Sequence, residues 1–128
     1  MTTEITQLKY SKEHEWVNVQ GNQAYVGITA FAQAQLGDIV FVELPAEGVE
    51  VRAGEVFGTI ESVKTVSDLY SPVTGKIVEV NHKLQDVPET VNANPYNDGW
   101  MILVEISDSA ELDELLSFSA YQDLISEE

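Results

Sequence analysis

The 128 residues contain no cysteine, so the side chains that could do chemistry are lysine, histidine, the carboxylates and the hydroxyls. The absence removes disulfides, thiolate catalysis and cysteine-bound zinc or iron–sulfur sites. Histidine occurs twice, His14 between Glu13 and Glu15 and His82 beside Lys83. With no G-x-S-x-G, P-loop, G-x-G-x-x-G or H-E-x-x-H pattern around them, both read as surface or hydrogen-bonded structural histidines and not as bases. Glu111, Asp113 and Glu114 share a segment with Leu112, Leu115 and Leu116, and read as the solvated side of an amphipathic helix. No calcium-loop pattern is present, and no metal site is expected. No catalytic residue is assigned.

Lys64 stands apart from these. Basic residues number six against 22 acidic ones, yet one of them falls in the middle of the apolar-rich stretch 57–70. The stretch reads as two strands meeting at a tight turn with Lys64 at the tip. A solvated lysine is the plain reading of such a position. The surroundings weaken it. Val63 and Val66 bracket the lysine, and glycine, asparagine and proline are missing from the turn, so the flanking strands are expected to hold it. Lysine offers a flexible stem ending in an acylatable amine. A group bound there could swing between partner active sites without being released. Lys64 is therefore read as a covalent attachment point, which the remaining chain presents.

The elements that must present it follow from pattern and punctuation. A chain of this length forms one domain with an ordinary core. Residues 16–20 alternate, Gly21-Asn22 marks a turn, and residues 24–28 return as a partner strand. Thr29 caps a short helix over 30–36, and Gly37 stops it. Residues 39–42 are a continuous β-prone run, expected to be covered on both faces. Strands over 56–60, 66–70, 77–80 and 100–106 follow, with a surface loop over 86–97 that holds one helical turn after Pro88. Two short amphipathic helices close the chain, the first opened by a capping box at Asp108–Glu111 and the second by a cap at Ser119. The segment 37–42 (GDIVFV) echoes 75–80 (GKIVEV) at four of six positions, as in a fold with two similar halves.

The net charge of −16 disfavours nucleic acid and anionic membranes and suits partners with basic docking surfaces. No apolar run is long enough to span a membrane, and residues 1–10 resemble neither a signal nor a transit peptide. A cytoplasmic monomer is expected.

Glu61-Ser62-Val63-Lys64 followed by Ser71-Pro72-x-x-Gly75 resembles the lipoyl-attachment hairpin. Residues 10–16 (YSKEHEW), 26–29 (VGIT), 35–45 (QLGDIVFVELP), 54–67 (GEVFGTIESVKTVS), 94–100 (NPYNDGW) and 111–116 (ELDELL) extend the likeness over about residues 8–125. Together they resemble the H proteins of the glycine cleavage system. The resemblance implies lipoate in amide linkage to Lys64 and no catalytic group of the chain's own. It implies a pyridoxal-phosphate glycine decarboxylase (P protein) that loads an aminomethyl group onto the arm. An aminomethyltransferase (T protein) would pass the one-carbon unit to folate, and a dihydrolipoamide dehydrogenase (L protein) would reoxidise the arm. A lipoyl ligase or transferase would attach it. It further implies Glu61 and Gly75 as modification-recognition residues, and Glu15, Ile28, Gln35 and Asp68 as a cleft for the loaded arm. Some relatives carry histidine where Gln35 stands.

The expected architecture is a mainly β, flattened lipoyl-domain-like barrel or sandwich of two small antiparallel sheets, with a helix near 30–36 and C-terminal helices. It forms one carrier domain over 1–128, with a lipoyl-bearing core at about 20–106 and a helical segment at about 108–126. A lipoyl relay to other enzymes and an unmodified acidic interaction module are the alternatives.

Overall fold

The computed structural model describes residues 4–126. Residues 1–3, which begin the segment read for targeting, and residues 127–128 lie outside that range. Period-two alternation produces nine strands among the described residues: β1 (Lys9–Tyr10), β2 (Glu15–Gln20), β3 (Gln23–Ile28), β4 (Ile39–Glu43), β5 (Glu50–Val51), β6 (Val56–Ser62), β7 (Val66–Tyr70), β8 (Gly75–Val80) and β9 (Ile102–Ile106). They form a six-stranded sheet in the order β1-β2-β3-β9-β8-β5 and a three-stranded sheet in the order β4-β6-β7. Every pairing is antiparallel. Val17, Val26, Ile77 and Val104 from the large sheet meet Val42, Ile60 and Leu69 from the small one in a shared apolar core. Burying these side chains is worth about 1.5–3 kcal/mol each before the entropy of ordering the chain is subtracted. Among the described residues no strand pairing joins the two sheets, so the barrel half of the expectation is not realised; the fold is an open sandwich.

A second cluster of Leu8, Tyr10, Trp16 and Tyr121 ties the C-terminal helix to the large sheet. The Tyr10 and Tyr121 rings stack with centroids 4.7 Å apart. Trp16 donates its indole N–H to the Pro95 carbonyl at 2.9 Å. Its ring lies so close over Gly27 that a Cβ there would come within 2.7 Å of it.

The α-helices among the described residues are α1 (Ala30–Leu36), α2 (Lys83–Asp86), α3 (Thr90–Ala93) and α4 (Phe118–Ser126). In α1, Thr29 accepts from the Ala32 amide and Gly37 ends the helix at φ 87°, as the sequence predicts. No helix among the described residues is long and apolar enough to cross a membrane.

Several expectations are corrected. β4 is not covered on both faces: Val40 and Phe41 are each 47 % exposed, and the outer face is bare across the small sheet, since Glu61 of the central β6 and Val66 of β7, in register with Phe41, are exposed too. The segment 86–97 lies mostly at the surface and holds the expected helical turn after Pro88, over Thr90–Ala93, but it is anchored more firmly than a free loop: Thr90 and Val91 are buried, and Asn92 bonds the Ile39 amide and the Gly37 carbonyl. The first tail helix is a 3-10 segment, Ser109–Glu114. Asp108 caps it, but Glu111 turns away from the capping box and accepts from the Thr74 amide and hydroxyl, both at 2.7 Å. The cap of α4 is Ser117, not Ser119.

The sequence echo has a structural counterpart. β4 carries a bulge between Ile39 and Phe41, and β8 carries one between Ile77 and Glu79, the same two positions of the repeated hexapeptide.

Candidate functional site

The tip that bears Lys64 is built from a buried serine. Ser62, only 4 % exposed at the end of β6, accepts on Oγ from the Lys64 amide at 3.2 Å and the Thr65 amide at 3.1 Å. The Ser62 amide closes the loop to the Thr65 carbonyl at 2.8 Å, and the Val63 amide reaches the Asp38 carbonyl at 3.0 Å. The turn is therefore not held by the flanking strands alone. The signal missed in the sequence was a serine at the base of a turn, where its hydroxyl can stand in for backbone. Ser62→Ala leaves two amides short of an acceptor and is expected to cost about 1–2 kcal/mol, with faster hydrogen exchange at Lys64 and Thr65 and not at β9.

Lys64 itself is exposed. Its stem lies over Gly37, where a Cβ would sit 3.1 Å from Lys64 Cε. Glycine at that point serves both its positive φ and the passage of the lysine stem. An open amine on a pinned tip fits covalent attachment, because amide formation needs the nitrogen to be reachable and the tip to survive derivatisation.

The structure gathers Glu15, Ile28, Gln35 and Asp68 on one cleft of about 270 Å³. Each comes from a different element: Glu15 from β2, Ile28 from β3, Gln35 from α1 and Asp68 from β7. Phe31 and Leu36 of α1 add an apolar wall, and Glu13 and His14 complete the rim. Glu15 is 2 % exposed. Burial pushes its carboxyl up to about 8, with the Glu13 charge adding to the shift. The Ser11 hydroxyl, which donates at 2.5 Å, and a backbone hydrogen bond from Tyr70 oppose it. Asp68 is exposed.

Two residues with no assigned part hold this cleft together. His14 has φ 69°, the only positive value for a non-glycine residue among those described. Its ring packs on Phe31 with centroids 5.0 Å apart, and its Nδ1 lies 2.9 Å from the Tyr121 hydroxyl. That hydroxyl lies 2.7 Å from Thr29 Oγ1, the cap of α1. One oxygen on α4 thus joins both walls of the cleft. Residues 107 positions apart carry no local signal of such a link. Tyr121→Phe is expected to lower stability by about 1–3 kcal/mol in denaturant titration and to loosen α1, seen as faster exchange of its amides.

The other residues fall elsewhere. Glu61 is exposed on β6, in register with Phe41 and Val66. Gly75 lies in the large sheet, where a Cβ would collide with the Glu105 carbonyl oxygen. His82 is exposed and pairs with Glu47 at 2.8 Å.

Comparisons with known proteins agree with this arrangement. The family model described as glycine cleavage H-protein matches residues 8–128. A glycine cleavage system H protein of Brevibacillus brevis is 62 % identical over 120 residues, covering 94 % of this chain and 95 % of the relative. One from Halalkalibacterium halodurans is 61 % identical over 122 residues, covering 95 % of each. The crystal structure of a glycine cleavage system H protein from Mycobacterium marinum superposes with a TM-score of 0.87 at 41 % identity, over 94 % of this chain and 98 % of that one. The sandwich, the lysine-tipped hairpin and these matches together place the chain in the glycine cleavage H-protein family.

Proposed function

We propose that this chain is the lipoyl carrier of a glycine cleavage system, with lipoate in amide linkage to Lys64. The observation that carries the reading is an exposed lysine on a serine-pinned tip, in a chain of this family. Bound lipoate supplies a sulfur pair that takes up and gives back the aminomethyl group derived from glycine. The chain supplies position and shelter and no catalytic group of its own. Glu15 and Asp68 offer carboxylates to a cationic cargo, Gln35 offers an amide, and Ile28 belongs to the apolar lining that keeps water from it. Glu61 is read by the attaching enzyme; for Gly75, the close approach of Glu105 already accounts for the glycine.

The partners are the P, T and L proteins and a lipoyl-attaching enzyme. The unit is a single carrier domain, its core at about 20–106 closed by the segment at about 108–126. Intact mass and peptide mapping of protein from its native host test the reading. A lipoyl increment on the peptide containing Lys64 is expected, and an unmodified lysine in cells grown on glycine contradicts it.

A further inference from the structure

The outer face of the small sheet carries more apolar surface than a solvated sheet needs. Register aligns Phe41 of β4, Glu61 of β6 and Val66 of β7 in one row across that face. The next residues along the hairpin are the Ser62–Thr65 turn and Lys64. Phe41 is 47 % exposed, Val66 63 % and Val63 67 %. In a chain with 22 acidic residues, Val63 and Val66 flank Lys64, the only basic residue between Arg52 and Lys76, and Phe41 joins Val66 in the exposed row through Glu61. A single exposed valine needs no explanation, but two of them beside one lysine with an exposed aromatic in the same row do.

We propose that Phe41, Val63 and Val66 form the docking ring for the enzyme that acylates Lys64, with Phe41 as its aromatic anchor. The proposal rests on the carrier reading above and adds the surface that the attaching enzyme grips. The choice of occupant follows from the chemistry. Lys64 Nζ, as the free amine, must attack the carbonyl carbon of an activated acyl donor such as an acyl-adenylate. The new C–N bond forms as the bond from that carbon to the leaving oxygen breaks. The leaving group keeps the electron pair, and the amine gives up a proton. Nζ itself must therefore enter the active site, so the enzyme has to close over the ring at the foot of the lysine stem. Enzymes that act on the far end of a finished arm can work at a distance from this ring. Glu61, between Phe41 and Val66, sets the charge: the partner presents a basic group inside an otherwise apolar rim. Aromatic side chains carry a disproportionate share of the affinity of such contacts.

The test is acylation of the purified apo protein by a lipoate–protein ligase supplied with lipoyl-adenylate, followed by intact mass. Phe41→Ala is expected to lower kcat/KM at least tenfold, chiefly through KM, and Val66→Ser several-fold, while Phe41→Leu stays near wild type. Unchanged melting curves separate this from misfolding. Acylation of Phe41→Ala within twofold of wild type overturns the proposal. So does normal acylation combined with slow loading of the finished arm by the glycine decarboxylase, which would give the ring to that enzyme. A wild-type protein that takes no lipoyl group at all sinks the carrier reading itself, and the ring with it.

Discussion

Lys64→Arg abolishes glycine-dependent turnover in a reconstituted system and leaves the fold unchanged. The guanidinium keeps the positive charge and the long stem, but it stays protonated at any workable pH and is no acyl acceptor. Lys64 is exposed, and the turn beneath it is held by Ser62 and by backbone bonds that do not involve the lysine side chain. Surface changes of this kind move stability by about 0.5 kcal/mol or less. The melting temperature is therefore expected to stay within about 3 °C of wild type. Turnover should fall to the level seen with no carrier added, and the mass should show no lipoyl increment. Turnover above a few per cent of wild type would mean that the cargo travels by another route.

The second large effect concerns Glu15. Its folded carboxyl holds a proton up to about pH 8, whereas the ordinary value is 4.5. Between those values the unfolded chain has already lost this proton and the folded chain has not. Stability from this group is full below about pH 4.5, declines as pH rises toward 8, and levels off above it. The span corresponds to a change on the order of 4–5 kcal/mol. Glu15→Gln removes the slope, so urea titrations from pH 5 to 9 should show the variant gaining on wild type as pH rises. Function should move the other way. On the proposed reading, a cationic cargo in the cleft would favour the ionised carboxylate and would have to displace the proton, at a cost of about 1.4 kcal/mol for each unit below pH 8. The lifetime of the loaded form, wild type relative to Glu15→Gln, is expected to rise by up to about tenfold per unit from pH 6 to 8 and then flatten. A ratio that stays level across that range would remove Glu15 from the cleft's chemistry.

What could be read from the sequence was local. The helix 30–36 was legible to the residue, because both of its signals, Thr29 and Gly37, adjoin it. The lysine at a hairpin tip was legible for the same reason. Contacts set by topology were not. Nothing in the order of residues says that β9 lies between β3 and β8, or that Glu111 leaves its own helix to hold Thr74. The exposure of Phe41 depends on the outer face of the small sheet being bare across all three strands, a property of the sheet and not of the run IVFV. The four cleft residues came from family resemblance, since residues on four separate elements share no periodicity. Tyr121 lay beyond either route, because its hydroxyl matters only once α4 folds back beside His14 and Thr29.

The bond from the Val63 amide to the Asp38 carbonyl ties the tip that bears Lys64, the foot of the proposed arm, to the connection between α1 and β4. A tether with an immobile foot makes occupancy of the cleft a property of each single molecule, governed by tether length and not by how much protein is present. On the proposed reading, an arm on Lys64 whose end binds the cleft with only millimolar intrinsic affinity would still be sheltered much of the time. Dilution would leave that fraction unchanged, so a thousandfold drop in protein level would expose no more cargo to water. A partner that competes for the same end would draw it out, and with so weak a hold this would need no conformational change in the carrier.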